Sequence, residues 1–209
     1  NGVDATLAAD LWQQMAKFNS YSFCRAHAAS YARIAWANAW MKAHHEPQFW
    51  IGALNNNAGM YEKWVYIEEA KRAGLEVLLP CVNRSEDEFS LDDGAIRVGL
   101  GRVRELTRRA RADIYQNRPV RGLFDLVMRT EIGVCELENL IRAGGLDFTG
   151  RTRRRLLYEL ELYYEKAREM RGRESLFGRA DPPGDGRKFR SLSELERRKD
   201  EWEMLSLSA

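Results

Sequence analysis

A chain of 209 residues, 44% hydrophobic and 31% charged, has material for one substantial core or two small ones under a heavily charged surface. With 33 Lys and Arg against 31 Asp and Glu, overall charge selects no partner class, and the useful question is where the arginines cluster. No apolar run approaches about 18 residues and the first residues are not a signal peptide, which excludes a spanning helix and leads us to expect a cytoplasmic protein with no membrane partner.

The first eighty residues read as helices. After Asp4, a candidate N-cap, Leu7, Leu11, Met15 and Phe18 recur at helical spacing on one face. A second helix is expected from about His27 to Ala43, with Tyr31, Ile34 and Trp40 turned inward. Pro47 suits the first turn of a third helix. A fourth ends at Gly74, a left-handed C-cap.

The period then changes. "LEVLLPCV" is an apolar run ending near Pro80, and "EFSLDDGAIRVGL" alternates around Asp93-Gly94, a tight hairpin signal. From Arg102 the chain returns to helix, with Gly144 and Gly145 as a stop, a long helix from about Arg151 to Arg171, and a last one from about Leu192 to Leu205. The last helix has Trp202 and Leu205 on one face. The composition break near Asn83 to Ser90 is the expected boundary between lobes.

Three cysteines, Cys24, Cys81 and Cys135, are too few and too scattered for a disulfide framework and are expected to be small buried hydrophobes. His44 and His45 diverge by roughly 100° on a helix, a poor chelating pair. No metal site is expected. Asp92 and Asp93 fall in the hairpin turn, where aspartate is common for conformational reasons. No catalytic constellation is present.

Arginine carries the main signal. Between Arg97 and Arg121 there are eight arginines and two acids, Glu105 and Asp113, and "RTRRR" opens the long helix at Arg151. Such density can neutralise phosphates; it can equally be a solvated face whose partner acids the fold supplies. Arg153, Arg154 and Arg155 at a helix start are unfavourable by about 0.3–1 kcal/mol each when exposed, so a phosphate or a carboxylate is expected nearby. Arg25 and His27 open the alanine-rich second helix, beside amides disposed toward an anion. A polar stretch, "GRESLFGRADPPGDG", holds two adjacent apolar residues, Leu176 and Phe177.

Read in order, "SFCRAHAASYARIAWANAWMKAHHEPQFW", "YIEEAKRAGLEVLLPCVNRS", "GAIRVGLGRVRELTRRA" and "LENLIRAGGLDFTG" resemble the bacterial replicative DNA polymerase III alpha subunit, the C-family polymerase. The resemblance covers nearly the whole chain. It implies a mostly α fold: a helical fingers lobe and a helix-hairpin-helix lobe with a small β-hairpin between them. Residues 1–85 correspond to the C-terminal part of the fingers, 86–150 to the tandem helix-hairpin-helix region, and 151–209 to a long helix, a clamp-binding linker and the helix leading to an OB-fold.

The resemblance further implies that Arg25 and His27 lie near incoming nucleotide and template, and that primer-template DNA is held by its backbone. The family's palm, with its magnesium-binding aspartates, is expected outside this chain, so the chain needs no cofactor of its own and is expected to be inactive alone. Arg104 matches the basic residue entering the first hairpin. Where the family has Gly-hydrophobic-Gly, this sequence has Glu105, Leu106 and Thr107, so amide contact to phosphate is expected to be weakened and the grip to fall on Arg102, Arg108, Arg109 and Arg111. "RESLF", residues Arg173, Glu174, Ser175, Leu176 and Phe177, resembles the family's sliding-clamp peptide, with Arg173 where Gln is usual. Sliding clamp, primer-template DNA and the remaining polymerase domains are thus the implied partners. A helical protein-interaction module without nucleic-acid contact is the competing reading.

Overall fold

The structure is a computed structural model. It describes residues 4–22, 24–56, 59–170 and 187–206, with side chains for these except 19–22 and 167–170. Nine α-helices and one small sheet are present among the described residues, so the chain is mostly α. The chain divides into two compact units, Asn1–Glu46 and Pro47–Ala209. The composition break at Asn83 to Ser90 lies inside the second unit and does not divide the two.

The first unit holds α1 (Ala5–Ser22) and α2 (Arg25–His44). Asp4 receives the Thr6 amide at 3.3 Å, which starts α1 as a capping aspartate should. The expectation of inward-facing apolar residues is corrected here. No residue of α2 is buried, and Leu7, Leu11, Met15, Phe18, Tyr31, Ile34 and Trp40 are all exposed. Helical periodicity identifies a face that could be covered; it does not say that this chain covers it.

The second unit holds the core. Helix α3 (Glu46–Asn56) carries Pro47 in its first turn, and α4 (Lys63–Arg72) stops before Gly74, whose φ of +91° is the left-handed cap. Strand β1 (Val77–Leu78) pairs in parallel with β3 (Ala95–Arg97), and β2 (Ser90–Asp92) pairs with β3 antiparallel, giving the order β1-β3-β2. Asp93 and Gly94, at φ 52° and 86°, make the hairpin turn. After β3 the backbone runs against residues 86–88: a Cβ on Gly99 would lie 2.4 Å from the carbonyl oxygens of Asp87 and Glu88. Only glycine permits that approach.

Helix α5 (Arg108–Gln116), α6 (Leu123–Arg129), α7 (Val134–Arg142), α8 (Arg153–Met170) and α9 (Glu194–Leu205) complete the unit. Helix α8 packs on α6 and α7, and α9 packs on α7. Leu126, Leu137, Leu140, Ile141 and Leu156 are fully buried at these contacts, each worth about 1.5–3 kcal/mol relative to exposure. On α9 the buried apolar residues are Met204 and Leu205, whereas Trp202 is half exposed, its ring 6.4 Å from that of Trp64. The cysteine expectation holds for Cys81 alone; Cys24 and Cys135 are exposed. Among the described residues no helix is long and apolar enough to cross a membrane.

Candidate nucleic-acid interface

The helix expected from Arg102 begins six residues later. A short 3-10 turn (Leu100–Arg102) comes first, then a hairpin in which Val103 and Leu106 point into the core. Thr107 then caps α5, its hydroxyl accepting the Ala110 amide at 3.2 Å. Glu105 sits at φ 59°, a left-handed conformation that favours glycine. The turn thus places a glutamate in a conformation that favours glycine.

A second hairpin joins α6 to α7. Ile132 is buried, and Gly133 caps α7 with its amide donating to Glu136 Oε2 at 3.0 Å. Glu136 also reaches the first hairpin: its Oε1 accepts the Thr107 amide at 3.0 Å and the Thr107 hydroxyl at 2.7 Å. Burial pushes this carboxyl up, but the bonds from Thr107 and Gly133 and the nearby Arg109 guanidinium outweigh it and hold Glu136 below its ordinary value. The Glu131 amide donates to Asp113 Oδ2 at 2.6 Å. Asn139 and Met204 fix the Arg104 backbone from α7 and α9.

The five arginines singled out in this lobe divide. Arg111 is locked: its side chain is 12% exposed and bonds Asp87 and the Leu106 carbonyl. Arg109 pairs with Glu131 at 2.6 Å and Arg104 approaches Glu105 at 3.5 Å, both pairs being well exposed. Exposed pairs of this kind contribute little and exchange partners readily. Arg108 is exposed and has no ion pair among the described residues. Arg102 has none either, and its Nε is buried without a hydrogen-bond partner. The Lys63 ammonium beside it is pushed down by burial and then by the Arg102 charge. Neither cation bonds a carboxylate among the described residues, although the Glu88 charge acts on Lys63 in the opposite sense.

The other arginine cluster is neutralised from within. Arg153 is buried and bonds Asp147 at 2.6 Å and Glu201 at 3.2 Å. Arg154 pairs with Glu196, while Arg151 and Arg155 share Glu159. The anion expected at this helix start is thus a set of carboxylates. Asp92 and Asp93 are likewise occupied, holding Arg84, with Asp92 also on Arg97. Among the described residues no group of three or more His, Cys, Asp or Glu side chains could hold a metal ion.

In the first unit, Arg25 and His27 are exposed in the opening turn of α2, the His27 ring 4.5 Å from that of Tyr31. Residues Arg173, Glu174, Ser175, Leu176 and Phe177 lie outside the described residues. Sequence reading missed Glu136, although a glutamate at the third position of a helix start, reaching back to the capping amide, is half of a capping box and could have signalled it. It missed the acids of α9 because they lie some forty residues from the arginines they meet.

Residues 74–156 match the helix-hairpin-helix motif. The chain is 32% identical over 205 residues, 92% of its length, to the DNA polymerase III subunit alpha of Saccharopolyspora erythraea. It is 31% identical over 160 residues, 76% of its length, to the error-prone DNA polymerase of Corynebacterium diphtheriae, and 33% identical over 167 residues, 77% of its length, to the DNA polymerase III subunit alpha of Bacillus subtilis. These matches span 15–17% of the relatives' own lengths.

Proposed function

The chain belongs to the family of DNA polymerase III alpha subunits and error-prone DNA polymerases, and from that premise we propose that it holds primer-template DNA by the backbone, without sequence preference. Arg102, Arg104, Arg108 and Arg109 make the contact from the first hairpin and the start of α5. Arg111 acts as an internal brace. The observation that carries this reading is that, among the described residues of this unit, Arg102 and Arg108 have no ion pair where most other arginines do.

The rest of the assignment follows the same premise. Residues 1–85 act as the C-terminal part of the fingers, with Arg25 and His27 near nucleotide and template, and residues 86–150 as the tandem helix-hairpin-helix region. Residues 151–209 join these to the remaining polymerase domains, which supply the catalytic carboxylates in the cytoplasm. The stretch Arg173 to Phe177 tethers the enzyme to its sliding clamp, Leu176 and Phe177 entering an apolar pocket as anchors. Replacing both by alanine abolishes capture by the clamp without changing helical content; an undiminished affinity removes this assignment.

A labelled primed duplex titrated with the chain at low salt tests the main reading. Binding is expected. The competing reading, an interaction module, draws on the carboxylates that already neutralise Arg111, Arg142, Arg151, Arg153, Arg154 and Arg155, and it requires no binding even at low salt.

A further inference from the structure

We propose that the cleft between β1 and α9 is a docking site for an extended acidic segment of another protein, which adds as a strand along β1 while its carboxylates meet Arg84, Arg197 and Arg198.

The cleft holds about 470 Å³ and follows the chain from Val77 to Cys81, with Phe148 and the arginines of α9 also lining it. Strand β1 is an edge strand: β3 covers one side of it, and no strand covers the other among the described residues. Its parallel register turns the Glu76 and Leu78 carbonyls to β3, where they accept the Ile96 and Val98 amides at 2.9 Å each. Backbone groups alternate sides along a strand, so the Val77 amide and carbonyl and the Leu79 amide face away from β3. An extended peptide pairs with an open edge of this kind. The ladder is short. The Leu79 carbonyl is taken by Arg97 at 2.7 Å, the Val82 amide by the Gly145 carbonyl at 3.0 Å, and Pro80 has no amide to offer. Apolar surface and charge must therefore supply the rest. Leu78 and Leu79 are half-buried and Phe148 is partly exposed, which gives alternate side chains of an added strand something to cover.

The charge of the cleft selects acid. Four guanidinium groups line it, those of Arg84, Arg97, Arg197 and Arg198, against two carboxylates, Asp147 and Glu201. Both carboxylates already hold the buried Arg153, at 2.6 and 3.2 Å. The acids that pair with Arg84 and Arg198, namely Asp92, Asp93 and Glu194, lie outside the lining. Arg84, Arg197 and Arg198 are each more than half exposed, and Arg197 comes no closer to Glu201 than 3.8 Å. Exposed pairs exchange partners readily. A nucleic acid could use the same arginines, but it has no backbone to lay along a strand edge, so a peptide is the better match. The hairpin arginines are not part of this cleft, and the docking site stands whether or not the chain binds duplex.

The test titrates the nitrogen-15-labelled chain with an alternating glutamate-valine peptide of about eight residues, long enough to span the cleft, and with its lysine-valine counterpart. The glutamate peptide is expected to shift the Val77 and Leu79 amide signals saturably and to slow hydrogen exchange at Leu79; the lysine peptide does neither. Joint replacement Arg197→Glu and Arg198→Glu weakens the glutamate peptide about tenfold, as reversal of two exposed charges allows. Both side chains are on the surface, and unchanged helical content confirms that the variant is folded. Equal binding of the two peptides, silence of Val77 and Leu79 toward both, or an affinity that the variant leaves unchanged overturns the inference. A primed duplex that shifts these amides and displaces the glutamate peptide overturns it too, by assigning the cleft to nucleic acid.

Discussion

The starts of α5 and α8 carry similar runs of arginine and dispose of them in opposite ways. At α8, Asp147, Glu159, Glu196 and Glu201 come to the guanidinium groups, and Arg153 ends among the buried residues. At α5, Asp87 holds Arg111 and Glu131 meets Arg109 at the surface, but Glu136 and Asp113 bond backbone amides, and Arg102 and Arg108 have no ion pair among the described residues. A run of positive charge is therefore a brace or a binding surface according to what its neighbouring carboxylates are doing. The count of arginines does not distinguish the two.

The largest effect that would sharpen this contrast is on stability. Arg153→Ala leaves the buried Glu201 with only the exposed Arg197, at 3.8 Å, and a loss of about 3 kcal/mol is expected in chemical denaturation, with duplex affinity of the folded fraction unchanged. Charge reversal of Arg108 and Arg109 should do the reverse: duplex affinity falls about tenfold or more at low salt, and stability moves by no more than about 0.5 kcal/mol. A stability loss in the second variant, or an affinity loss in the first, would break the distinction between brace and surface.

Titration offers a finer cut. The Glu136 carboxyl is held below its ordinary 4.5 in the folded chain, so its contribution to stability is present above that pH and is lost as pH falls through the lower folded value. The stability difference between wild type and Glu136→Gln should shrink below about pH 4.5. At the other end, burial and then Asp87 push Tyr115 up to about 12 from 10.0. That contribution is complete below pH 10 and is lost between 10 and 12. The smallest effect belongs to Arg154→Ala: its pair with Glu196 is substantially exposed, and less than about 1 kcal/mol is expected, with no change in duplex binding.

Local signals carried much of the fold. Asp93-Gly94 marked the hairpin, Pro47 a helix start, and Gly74 and Gly144 helix ends, because each depends on the backbone preferences of one or two residues. Burial was legible only where the chain itself supplies the cover. Tyr31, Ile34 and Trp40 have helical spacing yet remain exposed, and Trp202 yields its inward place to Met204. At the candidate interface, the altered hairpin could be read from Glu105 and Thr107 in place of glycine. Which arginines stay available could not be read, since that depends on acids the fold brings in, Asp87 to Arg111 and Glu131 to Arg109.

The most direct test of the central claim is the salt dependence of primed-duplex binding by the wild type and by the Arg108→Glu, Arg109→Glu variant. Contacts from Arg102, Arg104, Arg108 and Arg109 predict a plot of log affinity against log salt with a slope of roughly −3 to −4, made shallower by about two in the variant. No binding at low salt, or a slope that the variant leaves unchanged, would contradict the account.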